Sequence, residues 1–391
     1  MNELKTRIGI VGASSGGLFL SLLLSNRTDL EIIVFDKNEK PARKLNATGN
    51  GHCNILPGQL NAACFNNAAY MGVLIDKYPL DKLVSILSDL GIRLFKKSNL
   101  YYPLSFSSNA LSSYLINKCV DNGIKFQLGE EVLDYEKKDD GVLLKSDKKT
   151  YIFDKLIFST GGKSQKNFGS DGSLFPLFKS KGYKISPLRP SLCPIKIKEK
   201  VKSLSGKRHL AKVTIHINGK EQYSEQGEIL FKDDGLSGIA IFNCSFFLNE
   251  SNIKNSLIKI DLFPWMSLEE LSNCFSSIFN CNKAYNFGSI LEKEIANYLL
   301  ALLKSYNKQI NAKNMAFLCK NLIFHPISLY GFENSQVTKG GLSIENFNEN
   351  LESKIEKNVH FIGEMIDIDG MCGGNNLAWC LLSSLLVFDS I

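Results

Sequence analysis

The sequence predicts an α/β protein in which a Rossmann-like domain is interrupted by an antiparallel, barrel-like insertion and a helical segment. Three observations carry this. An apolar run, Ile8–Val11, stops at Gly12, and a Gly/Ser turn leads into the apolar stretch Leu18–Leu24. A second apolar run, Glu31–Phe35, ends on Asp36, 19 residues after Gly17. A last such run, Val359–Ile362, and the apolar stretch 376–388 come only at the end of the chain. The domain that opens the chain therefore needs this final segment to complete it.

The first two observations make the β-α-β fingerprint of dinucleotide binding, in which a helix N-terminus takes the pyrophosphate and the acid a ribose hydroxyl. Ser14 stands where the middle glycine of G-x-G-x-x-G is usual. It is small, and its N–H still faces the phosphate. The expected contacts are Gly12, Ser14, Ser15, Gly16 and Gly17, with Asp36 and Lys37 at the end of the second strand. A helix over 109–121, strands at 123–128 and 151–159, and a small antiparallel meander within 131–150 continue the domain.

Further along, Val213, Ile215 and Ile217 alternate with polar residues up to Asn218-Gly219, the strongest short hairpin signal. Apolar runs at 227–231 and 239–244 read as further strands. Ser267-Leu-Glu-Glu270 is a capping box. Leu291, Ile295, Leu299 and Leu302 make one helix face, a second helix is expected over 314–322, and 325–341 returns to extended structure. The resulting division is a cofactor domain of 1–190 with 340–391, a β-barrel-like insertion of 191–265 with 323–339, and a helical subdomain of 266–322.

Composition bounds the function classes. The chain has 391 residues, 44% hydrophobic and 22% charged, ordinary for a folded protein of two or three domains. Its net charge of +7 comes from scattered lysines with only six arginines, and the densest basic stretch, Lys196–Arg208, is broken by Glu199 and small residues. That reads as solvated surface, so no nucleic-acid partner is expected. No apolar run reaches the roughly 20 residues of a membrane helix, and no secretory leader pattern is present. Ten cysteines without a C-x-x-C pair or a zinc-type cluster imply reduced thiols, a cytoplasmic setting and no metal. Oligomeric state is not legible.

Three more glycine-rich segments join the first turn, and one elongated ligand accounts for the four better than unrelated loops do. Lys44–Asn54 offers Lys44, Thr48, Gly49 and Asn54. Thr160, Gly161 and Gly162 follow a strand, where small residues let a ligand cross the sheet edge, and Gly169-Ser-Asp-Gly172 precedes another helix start. The last segment supplies Gly363, Glu364, Asp367, Asp369, Gly373, Gly374, Asn375 and Asn376 directly before the closing helix. A strand ending in Gly-Glu and a Gly-Gly helix start suit a flavin, because the helix dipole stabilises negative charge on its ring edge.

With these motifs in order along nearly the whole chain, the sequence resembles the BaiN/YhiN-like NAD(P)/FAD-dependent oxidoreductases, also described as aminoacetone-oxidase-family flavoproteins. Further matching pieces are Pro190-Ser-Leu-Cys-Pro194, Gly227–Phe231 with Gly235–Gly238, Val337–Gly341 and Glu352-Ser-Lys354. The resemblance implies a two-dinucleotide-type FAD domain carrying a β-barrel insertion and a helical subdomain. It implies FAD as cofactor, a small-molecule substrate, and NAD(P)H as a transient electron donor. Ser14, His52 (where the family usually has arginine) and Asn376-Leu-Ala-Trp379 depart from the pattern. No second G-x-G-x-x-G marks a dedicated nicotinamide domain. Catalytic acid–base residues are unassigned; His52, His325 and His360 are the candidates, while Cys53, Cys193 and Cys372 lack the pairing that disulfide reduction needs. Two other readings stay open, a non-catalytic or redox-sensing flavin binder and a flavin-dependent RNA-modification enzyme.

Overall fold

The computed structural model describes residues 5–280 and 286–391. They form two compact units, one of residues up to Arg189 with Gln336–Ile391, the other Pro190–Ser335.

The first unit is built on a five-stranded parallel sheet, in the order Val359–Phe361, Lys155–Phe158, Thr6–Val11, Leu30–Asp36, Lys125–Leu128. Its central strands are near-continuous apolar runs because both faces are covered: Ile8, Ile10, Val34 and Leu156 to Phe158 are fully buried. Val11 pairs with both Phe35 and Phe158, and Phe158 with Phe361. Four strands therefore end level at one carboxyl edge. The helices that follow the first and last of them, Ser15–Leu24 and Asn375–Phe388, are buried on nearly every side. Ser384 Oγ donates to the Gly16 carbonyl at 3.0 Å, tying the two together.

The expected strand 151–159 is two strands. Thr150–Phe153 pairs antiparallel with Gly141–Ser146 in the meander, and Lys155–Phe158 enters the parallel sheet. Asp154 makes the switch: its carboxylate accepts the Arg7 N–H at 2.7 Å and pairs with the Arg7 guanidinium at 3.0 Å. A small separate sheet, ordered Leu56–Pro57, Leu100–Pro103, Leu94–Lys97, completes this unit.

The second unit contains a seven-stranded antiparallel sheet whose edge strands, Leu322–Phe324 and Pro326–Leu329, are consecutive pieces of one extended segment. The sheet thus closes on itself. Asn218 and Gly219, at φ 52° and 75°, turn its long hairpin as a mirror-type turn requires. The run 239–244, expected as a strand, is the helix Ile239–Phe246. A short apolar run is ambiguous between the two forms, and here Ala240 packs over Gly227, where a flat helix contact fits. Helix Leu268–Phe279 carries both hydrogen bonds of the capping box. With Lys293–Ser305 and Ala312–Lys320 it shares the barrel's core, through Phe275, Leu299 and Met315. Leu302 packs against this core only in part while Leu303 is fully buried, Leu291 precedes the helix, and Leu322 opens a strand instead of ending a helix. Among the described residues no helix is long and apolar enough to cross a membrane.

Candidate functional site at the sheet's carboxyl edge

All four glycine-rich segments lie in the first unit, beside the level ends of its strands. The first turn places Ser14 as the residue before helix Ser15–Leu24 with extended φ of −117°. No left-handed backbone is needed there, so serine replaces glycine without strain. Gly17 is obligatory: a Cβ would lie 1.9 Å from the Gly12 carbonyl oxygen. No side chain caps this helix and no acid stands in its first turn, leaving a cluster of N–H groups without intrahelical acceptors. Asp36 is fixed by three donors: its Oδ2 accepts Ala13 N–H at 2.9 Å and its Oδ1 the backbone and side-chain N–H of Asn38, each at 2.9 Å. Lys37 turns to Asp171 at 2.6 Å, away from Asp36.

The second and third segments meet through Glu364. Lys44 Nζ lies 2.6 Å from Glu364 Oε2, both side chains largely buried. Glu364 Oε1 accepts Thr338 N–H at 2.9 Å, and Thr338 Oγ1 in turn accepts the N–H groups of Lys163 and Ser164. A side chain at Gly162 would press on both Thr338 and Glu364, and Gly161 faces Ser170 and Glu364. Thr160 sits against Met365. In the Lys44–Asn54 loop, Thr48 Oγ1 donates to Leu45 O, and Gly49, Asn50 and Cys53 have φ of 56°, 52° and 56°. Asn54 packs against Gly49.

The fourth segment is held by groups that the sequence reading missed. Trp379 Nε1 donates to Gly363 O at 2.9 Å, and Ser383 Oγ accepts Gly363 N–H at 3.0 Å. Asn66 bonds both the Asp367 carboxylate and the Asp369 N–H. Asn376 clamps Gly370 through both its amide atoms, so its side chain is committed to the loop. Gly373 lies against Leu100. Gly374, at φ 90°, precedes the closing helix, which is also without a side-chain cap or a first-turn acid. Three buried acceptor atoms around this edge, Asn46 Oδ1, Ser170 Oγ and Asn375 Oδ1, have no hydrogen-bond partner. Thr338 and Trp379 lie in segments already compared with the family, but nothing local gives their partners Glu364 and Gly363, and no motif announces Asn66, whose partners Asp367 and Asp369 are some 300 residues away.

The histidines divide. His52 is exposed, stacked on Phe106 with centroids 4.0 Å apart, its Nδ1 3.0 Å from Phe106 O. His325 belongs to the second unit, its Nδ1 2.7 Å from Glu199 Oε1. His360 is buried in the last strand, and burial lowers its pKa to about 4, so it is neutral. Burial likewise pushes the Cys53 thiol up to about 11 and Cys193 up to about 12, which removes them as thiolate nucleophiles at neutral pH.

Comparison with known proteins agrees with this geometry. The chain is 25% identical to the 3-dehydro-bile acid delta(4,6)-reductase of Clostridium scindens, over 97% of each chain. It is 24% identical to the ribosomal RNA dihydrouridine synthase of Escherichia coli, over 96% of this chain and 95% of the other. Among solved structures, the 3-ketosteroid-delta4-(5alpha)-dehydrogenase of Rhodococcus jostii shares the fold, with a TM-score of 0.50 at 12% identity, covering 100% of this chain and 98% of that one. The description "HI0933-like protein Rossmann domain" matches residues 6–388, and the chain belongs to this family.

Proposed function

We propose that the carboxyl edge of the parallel sheet holds FAD, and that the chain is an FAD-dependent oxidoreductase that reduces a carbon–carbon double bond. The observation that carries this is the pair of uncapped, acid-free helix starts, at Ser15 and Asn375, on one sheet edge. Each offers unpaired N–H groups and a positive dipole end to an anionic or electron-rich group. The residues present fit the cofactor. Gly12 to Gly17 suit a pyrophosphate, and Asp36 keeps lone pairs for a ribose hydroxyl. The unpartnered oxygens of Asn46, Ser170 and Asn375 await donors. The Lys44–Glu364 pair fixes the strand ends against which the flavin would lie.

When bound, FAD supplies hydride transfer. The protein's part is orientation: the first turn of the closing helix stabilises negative charge, and the Gly161-Gly162 strand end leaves room for close approach. The curated relatives favour the reaction class, since one is named a delta(4,6)-reductase and the other a dihydrouridine synthase; both names describe hydrogenation of a double bond. NADH or NADPH serves as transient donor to an open flavin face.

The test is an anaerobic absorption titration of the purified protein. The two near-ultraviolet and blue bands of oxidised flavin are expected, bleached by one of the two nicotinamide nucleotides and restored by an unsaturated acceptor. A colourless protein that takes up no added FAD would overturn the reading.

A further inference from the structure

We infer that Arg189 is the charge-balancing residue of the oxidoreductase proposed above, a role that rests on that reading: its guanidinium meets the negative charge that hydride transfer puts on a bound flavin. The chain has six arginines, and five are engaged. Arg7, Arg27 and Arg208 pair with Asp154, Asp29 and Glu228. Arg43 donates to Asn38 Oδ1, and Arg93 to Ser88 Oγ. Arg189 alone has neither a hydrogen bond nor an ion pair among the described residues, although it is half-buried and its Nε is sealed from solvent. A guanidinium carries five donors and does not shed its proton. Buried donors are nearly always satisfied, so one left without an acceptor points to a ligand.

The fold brings this group to the sheet's carboxyl edge. The strand Ile185–Ser191, which carries Arg189, forms a two-stranded sheet with Val337–Leu342. Ser343 N–H donates to Lys184 O at 2.9 Å, and a Cβ on Gly340 would lie 2.3 Å from Pro187 O. Both contacts fit one antiparallel register, in which Arg189 stands across from Thr338, and residues so opposed share a face. That face is turned to the site. A Cβ on Gly162 would lie 2.4 Å from Thr338 Oγ1, which accepts the N–H groups of Lys163 and Ser164. All of these residues belong to the first unit.

The neighbouring carboxylate does not serve it. Glu364 is committed at both oxygens, Oε1 to Thr338 N–H and Oε2 to Lys44 Nζ. Lys44 cancels its charge, and Arg189 is left as a positive charge without a counter-ion beside the Gly161-Gly162 strand end. The cofactor's pyrophosphate is already matched by the helix start at Ser15. What changes in the catalytic cycle is the charge of the ring. A hydride leaves the nicotinamide carbon, the donor becomes oxidised, and the neutral ring gains two electrons, one proton and a net negative charge. The guanidinium favours that state over the oxidised one, and a difference in interaction between two states shifts the equilibrium between them.

The experiment is an anaerobic equilibrium reduction of the full-length protein loaded with FAD, against a reference dye of known potential. At a fixed state of the dye, Arg189→Gln is expected to lower the ratio of reduced to oxidised flavin about tenfold or more, which is about 30 mV for a two-electron couple. Its affinity for oxidised FAD and its melting temperature are expected to match the wild type. Arg189→Lys, which keeps the charge, is expected to recover most of the ratio. Should Arg189→Gln not fold, Arg189→Met carries the same expectation. An unshifted ratio in a variant that holds FAD would overturn this role and leave the flavin reading standing. Equal loss of oxidised and reduced FAD would also overturn it, since that marks a structural residue. A wild-type protein that takes up no FAD would overturn both.

Discussion

At the scale of single residues, the Lys44–Glu364 pair joins two of the four glycine-rich segments at 2.6 Å. Both side chains are largely buried, so removing one charge leaves the other poorly solvated. Glu364→Gln is expected to lower unfolding free energy by about 1–3 kcal/mol and to weaken FAD retention, read by urea denaturation and by flavin content after dialysis. His360 acts on pH dependence. Its pKa of about 4 lies below the roughly 6.5 of an unfolded histidine. Above pH ~6.5 neither state binds the proton and the group contributes nothing pH-dependent. As pH falls from there toward 4, only the unfolded chain takes it up, and stability falls by up to about 3 kcal/mol. His360→Leu is expected to flatten that acid limb, measured as the shift in urea midpoint between pH of about 7.5 and 4.5; an unchanged limb would refute it.

At the scale of elements, legibility follows the range of the cause. The first β-α-β unit, the hairpin at Asn218-Gly219 and the capping box at Ser267 were readable because each is decided by residues within a few positions of one another. The Ile239–Phe246 helix was not, since its form is settled by Gly227 on a neighbouring strand. The four glycine-rich segments could be picked out, but not that Thr338 and Trp379 bond the last of them, or that Asn376 is occupied with Gly370. Gly374 shows what the closing helix needs. Its φ is 90° and a Cβ would lie 2.6 Å from the Leu56 carbonyl carbon. Gly374→Ala is expected to destabilise the first unit by about 1–3 kcal/mol and to abolish flavin retention by moving the helix start, measured by thermal melting and by absorbance.

At the scale of the whole molecule, each unit has its own hydrophobic core. A ligand held wholly by one unit stabilises that unit by mass action, by ~2.7 kcal/mol at a free concentration of about 100 times Kd. Calorimetry of the apoprotein with added FAD is expected to raise the unfolding of residues up to Arg189 with Gln336–Ile391 and leave that of Pro190–Ser335 in place; hydrogen exchange assigns the two. The Ser384–Gly16 bond spans 368 residues of chain. At a synthesis rate of about 5–20 residues per second, roughly 20–70 seconds pass between the making of its two ends. During that interval the Thr6–Val11 and Lys155–Phe158 strands exist without the Val359–Phe361 edge, and the apolar Ser15–Leu24 helix without its partner. The Pro190–Ser335 unit, a single uninterrupted stretch of chain, is complete first. The carboxyl edge of the parallel sheet is thus among the last parts of the protein to come into being, and a nascent chain stalled before residue 359 carries a finished barrel and an open, aggregation-prone sheet.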